Sequence, residues 1–141
     1  MSQILTEMEI RKVHAEAGAG TSPIVSSIID SAGCESVLFF ANIGTANAGN
    51  YLSVAESDDS GMSGEADLLG SKVIGLVSGN VIAVEIFKPS KRYLRATMTV
   101  GSSSTVGTMY CIRKVKKLPA LNTVASVIDS EIHATPAEGT A

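Results

Sequence analysis

Between Arg92 and Val100 the chain alternates without a slip. Leu94, Ala96, Met98 and Val100 fall on one side, and Tyr93, Arg95, Thr97 and Thr99 on the other. Successive side chains of a strand point to opposite faces, so this pattern predicts a strand with an apolar core face and a polar face for solvent or a partner. Gly101 and the serines at 102–104 end it, and a second strand is predicted from Val106 to Val115. Sheet elsewhere in the chain must then cover the apolar side of these strands, which points the whole sequence toward an all-β class.

The length of 141 residues suits one domain with a sizeable core, needing no metal or disulfide to fold. With 45% hydrophobic residues, 4% aromatic and no Trp, that core is built from Val, Ile, Leu, Ala and Met. The 13 glycines divide the chain into short segments, as all-β folds require. Cys34 and Cys111 are too far apart for a zinc motif and fall in predicted strands. Two buried free thiols are the simple reading, with a cross-strand disulfide as the alternative. Met1-Ser2-Gln3 lacks the basic start of a signal peptide, and no run approaches the ~20 apolar residues of a membrane helix. A cytoplasmic origin is expected.

Taken in order, residues 1–20 read as an N-terminal arm with a strand near Glu7–His14, closed by a break from Gly18 to Pro23. Residues 21–117 read as the β-sandwich domain. Its predicted strands cover Ile24–Ile29, Glu35–Ile43, Asn50–Ser57, Lys72–Val77, Val81–Phe87, Arg92–Val100 and Val106–Val115. Ser78-Gly79-Asn80 has hairpin chemistry, and Asp67–Gly70 suits one helical turn or an irregular crossing. The count is about eight strands, at the spacing of an antiparallel sandwich. Glu35–Ile43 is apolar on both faces: Val37, Phe39, Ala41 and Ile43 on one, Leu38 and Phe40 on the other. Such a strand is covered on both sides, here by the opposing sheet and by an arm or a neighbouring subunit. Residues 118–141 form a C-terminal segment in which Leu121, Val124, Ile128 and Ile132 suit a helical stripe and Val124, Ser126 and Ile128 a short strand. It covers its own domain's edge or reaches a second subunit.

Catalytic constellations are missing from the pattern. His14 and His133 lie in opposite terminal segments, no nucleophile elbow occurs, and Gly18–Ser22 lacks the lysine and spacing of a phosphate loop. No catalytic, cofactor-binding or metal-binding residue is assigned, and a hydrolase is a remote third reading. The acids Glu56, Asp58, Asp59, Glu65 and Asp67 crowd residues 56–67, but not at calcium-loop spacing. Residues 88–117 carry eight bases and no acid, although the net charge is −3. With few aromatics interleaved, a protein partner fits this patch better than nucleic acid. The candidate partner contacts are Arg92, Tyr93, Arg95, Arg113, Lys114, Lys116 and Lys117. The acidic run, in a second copy of the chain, is one possible complement.

Three runs in order also carry a family likeness. They are Glu35-Ser36 with Phe39 and Gly44, then Glu56-Ser57-Asp58-Asp59, then Arg92-Tyr93 with Arg95. Over residues 34–115 the chain resembles small structural proteins of tailed bacteriophages, above all capsid cement (decoration) proteins. The resemblance implies a jelly-roll sandwich, a place on the outer surface of the virion's capsid and the major capsid protein as partner. A non-enzymatic, membrane-free, cofactor-free homodimer is expected, with a trimer as the alternative. A tail or fibre module recognising a host glycan is the second reading. The chain departs from the family pattern at Ser60–Gly64, where relatives often place a tryptophan-containing turn.

Overall fold

A computed structural model describes residues 3–118, 120, 122 and 129–131. The predicted C-terminal stripe and His133 lie outside the described residues. After a one-turn helix α1 (Ile4–Glu7), the strands are β1 (Met8–His14), β2 (Ala17–Gly20), β3 (Ile24–Val25), β4 (Ile29–Asp30), β5 (Cys34–Thr45), β6 (Tyr51–Ser57), β7 (Ala66–Asp67), β8 (Val73–Ile74), β9 (Val81–Phe87), β10 (Tyr93–Thr99), β11 (Ser104–Val106) and β12 (Met109–Val115).

Pairing is antiparallel throughout and makes two sheets. In the first, β1, β12, β5 and β9 lie side by side, with β11 and β2 extending the far end of β5. In the second, β10 lies between β6 and the short β3 and β4, and β7 and β8 close the outer edge of β6. Early strands therefore pair with late ones in nested order: β1 with β12, β3 and β4 with β10, β5 with β9, β6 with β7 and β8. That nesting is a jelly-roll sandwich, and the long strands leave few free edges.

The core lies between the sheets, where the alternations converge. Leu94, Ala96 and Met98 of β10 are fully buried against Val37, Phe39 and Ile43 of β5 within one apolar cluster. Tyr93, Arg95, Thr97 and Thr99 keep partial exposure on the outside, as their positions predict. Cys34 and Cys111 are both buried and unbridged. Burial pushes the Cys111 thiol up to about 12, so it packs as a small apolar group.

Tertiary pairing overrides several local signals. The Gly18–Gly20 stretch, predicted as a break, is strand β2, because β11 offers it a ladder. Residues 8–20, expected as an arm, join the first sheet and bury Val13. Ser78-Gly79-Asn80 does turn, with Gly79 at φ 83, but it makes no hairpin. Its ends enter different sheets: β8 pairs with β6 and β9 with β5. The turn docks on β5 instead, where Gly79 N–H donates to Ile43 O and Ile43 N–H to Asn80 O. Ile24–Ile29 is interrupted at Ser26, whose hydroxyl accepts the Ala96 N–H that a continuous strand would have bonded. The strand predicted from Val106 to Val115 is two, split at Gly107 and Thr108. Of the two readings for Asp67–Gly70 the irregular crossing holds: Asp67 ends strand β7, and the chain leaves it through a turn at Leu69–Gly70.

The crossing after β10 is tightly built. Gly101 N–H donates to the buried Asn50 Oδ1 at 2.6 Å, and a Cβ at Gly101 would lie 1.9 Å from Ala48 O. Since that neighbour is backbone, Gly101→Ala is expected to cost about 1–3 kcal/mol of stability, read as a lower urea midpoint at unchanged slope. An unshifted midpoint would show that the crossing relaxes freely.

Candidate interaction surface

The sandwich presents two outer faces of different chemistry. On the second sheet, β10 and β6 place Tyr93 beside Ser57, Arg95 beside Ala55, Thr97 beside Ser53 and Thr99 beside Tyr51. Both arginines here have acidic partners within the chain. Arg92 makes a two-pronged contact with Asp30 at 2.9 and 2.8 Å, its guanidinium 5.3 Å from the Tyr93 ring centre. Arg95 reaches both carboxylate oxygens of Glu65 at 2.5 Å. Glu56 accepts from the Ser90 hydroxyl and the Lys91 N–H.

Two acids of the run, Glu56 and Glu65, therefore engage residues at and just before β10 in the same molecule. The tip of the run is closed by Asp59, whose carboxylate accepts the N–H groups of Gly61 and Ser63, while Met62 plugs into buried space. Among the described residues no group of three potential metal ligands is present.

The Arg92 contact holds the Asp30 carboxyl down to about 2, against an ordinary 3.8, despite some opposing desolvation. A depressed carboxylate stabilises the fold above its unfolded value, and that contribution disappears as pH falls from about 4 toward 2. Asp30→Asn should therefore lower the urea midpoint at pH 6 and converge with the parent chain near pH 2. The pair is exposed, so the difference should be small and shrink in salt. A gap that persists at pH 2 would refute this account.

The remaining basic candidates belong to the first sheet and do not join Arg92, Tyr93 and Arg95 in one patch. Arg113 sits on the core-facing side of β12, opposite Glu9 of β1. Its Nη1 donates to Glu9 Oε2 at 2.8 Å, and Arg11 Nε donates to the other oxygen. Lys114 pairs with Glu35 at 3.4 Å, and Lys116 and Lys117 are exposed just beyond β12. Arg113 is thus a structural ion-pair member rather than a presented contact.

What the charge pattern missed is the outer face of the first sheet. The register aligns Ile10, Ile112, Leu38 and Glu85 in one row and Lys12, Tyr110, Phe40 and Ala83 in the next. Met8, Lys114, Ser36 and Phe87 form a third row, and Asn42 and Val81 begin a fourth. Val81 is 66% exposed and Phe87 59%. Phe40 and Tyr110 stack with centroids 5.5 Å apart. Two hollows indent this face, one of 180 Å³ between Met8, Leu38 and Ile112 and one of 280 Å³ beside Phe40, Val81 and Tyr110. The legible signal was Leu38 and Phe40, apolar on the second side of their strand. No protein-family model matches this chain, and no curated protein matches it in sequence.

Proposed function

We propose that this chain is a structural, non-enzymatic cement protein of a phage head, which binds the outer surface of the major capsid shell and clamps neighbouring capsomers as a homodimer. The observation that carries this reading is the division of labour between the two sheet faces. A jelly roll gives a stiff body, its second sheet pairs Arg92 and Arg95 with acids of the same chain, and its first sheet leaves a largely apolar outer face on which two copies can join into a clamp. The ordered likeness over residues 34–115 selects the capsid among protein partners. Repetition over a symmetric shell would multiply modest contacts into firm retention. The test is to add purified protein to undecorated heads and heat them. Saturable binding with a higher shell-melting temperature is expected; no binding and no gain in shell stability would refute the reading.

A tail or fibre module that recognises a host glycan is the second reading. It is favoured by the Phe40–Tyr110 stack beside a hollow also lined by Glu16, Asn42 and Thr108, since sugars pack on aromatic rings flanked by polar groups. Glycan-array binding that Tyr110→Ala abolishes, with no binding to heads, would establish it instead.

A further inference from the structure

The outer face of the first sheet is wide and largely apolar, with opposite charges on its two edges and Lys114, paired with Glu35, on an inner strand. Its four long strands, three of them seven residues long, span a face of roughly 450 Å² at ~4.8 Å between strands and ~3.4 Å per residue. The largest apolar patch on a single chain is typically about 300–600 Å² and often functional, and this footprint, its polar residues included, falls in that range. The edge strand β1 contributes Lys12, for which the described residues provide no ion pair. The opposite edge strand β9 contributes Glu85, whose partner among the described residues is the Ser36 hydroxyl. Ile10 shares the first edge with Lys12, and Ile112, Leu38, Tyr110 and Phe40 lie between the edges.

We propose that this face seats a second copy of the chain, sheet against sheet, about a two-fold axis running parallel to the strands. Such an axis keeps each row in place and reverses the order of strands. β9 of one copy then lies over β1 of the other, and β5 lies over β12. Glu85 falls over Ile10, one row from Lys12, and this contact occurs twice in each dimer. Phe40 meets Tyr110 across the axis, and Phe87 approaches the hollow between Met8, Leu38 and Ile112.

The perpendicular two-fold axis is disfavoured by charge. It would lay β9 on β9 and β1 on β1, with Glu85 facing its own copy in the middle row and no acid near Lys12. A capsid surface need not mirror this arrangement, but a two-fold contact must be self-complementary, and here base and acid stand on opposite edges. Facing sheets pack about 10 Å apart with interdigitated side chains, a spacing that the half-buried Leu38, Phe40 and Ile112 suit.

The proposal deepens the self-association in the function proposed above, and it is tested without any capsid. Sedimentation velocity on the purified full chain, from micromolar to a few hundred micromolar, should show a monomer–dimer equilibrium. Phe87→Glu and Tyr110→Glu change exposed side chains, and each should weaken the dimer at least ~10-fold, with circular dichroism and the urea midpoint essentially retained. Lys12→Glu and Glu85→Lys should each weaken it several-fold, and the double exchange should restore it. A chain that stays monomeric throughout, one that forms a trimer, or a dimer indifferent to Phe87→Glu and Tyr110→Glu overturns the proposal. A dimer that the double exchange fails to restore overturns the strand-parallel axis. Head binding by a chain that stays monomeric would leave the capsid reading standing without its homodimer and remove this one.

Discussion

Phe39→Ala should lower the free energy of unfolding by about 3–5 kcal/mol, whereas Phe40→Ala, one residue along the same strand, should lower it by less than about 1.5 kcal/mol. Phe39 is wholly buried between the sheets, so truncation removes a ring's transfer free energy and leaves a cavity in a closely packed core. Phe40 lies on the outer face, where it stacks on Tyr110 and keeps partial solvent contact. Urea unfolding of both variants at a concentration that keeps the chain monomeric separates the two effects. The second variant should show its larger effect in self-association. Equal losses of stability would mean that both sides of β5 are core and that the outer face is not free to bind.

Glu9→Ala should cost about 3–5 kcal/mol, because it strands a largely buried guanidinium. Side-chain exposure is 7% at Glu9 and 14% at Arg113, and both point to the core side of the β1–β12 pair. Among the described residues Arg113 Nε has no hydrogen-bond partner, so losing the Nη1 contact would leave the charge poorly compensated. Replacing both groups together, Glu9→Leu with Arg113→Met, should recover most of the loss, since an apolar pair carries no such debt of desolvation. A double-mutant cycle measures the coupling. Additive losses from the two single variants would show that the pair does not act as a unit.

These predictions separate residues that the sequence treats alike. Arg92, Arg95 and Arg113 look equivalent in a basic run, yet two belong to an outer face and one to a core-side ion pair. Charge runs report composition along the chain, and the sandwich places neighbouring strands of that run in different sheets. β10 belongs to the second sheet and β12 to the first. The acidic loop shows the same limit. Its partners, Ser90, Lys91 and Arg95, are about 30 residues away in sequence and become neighbours only because β10 pairs with β6. Nor did turn chemistry at Ser78–Asn80 say whether the strands beside it would pair.

By itself the sequence determined the all-β class, the inward side of β10 and β9, and the two-sided apolarity of β5. Each follows from alternation along one strand, which is a local property of the backbone. Only the tertiary structure decided which strands share a sheet, and with it the makeup of the two outer faces. Register between strands distant in sequence lines up Ile10, Ile112 and Leu38 beside Phe40 and Tyr110 as one apolar face. The same kind of long-range pairing brings Asp30 and Glu65 to the arginines of the other face. Both outcomes depend on which backbone ladders close, and no window along the chain contains that information.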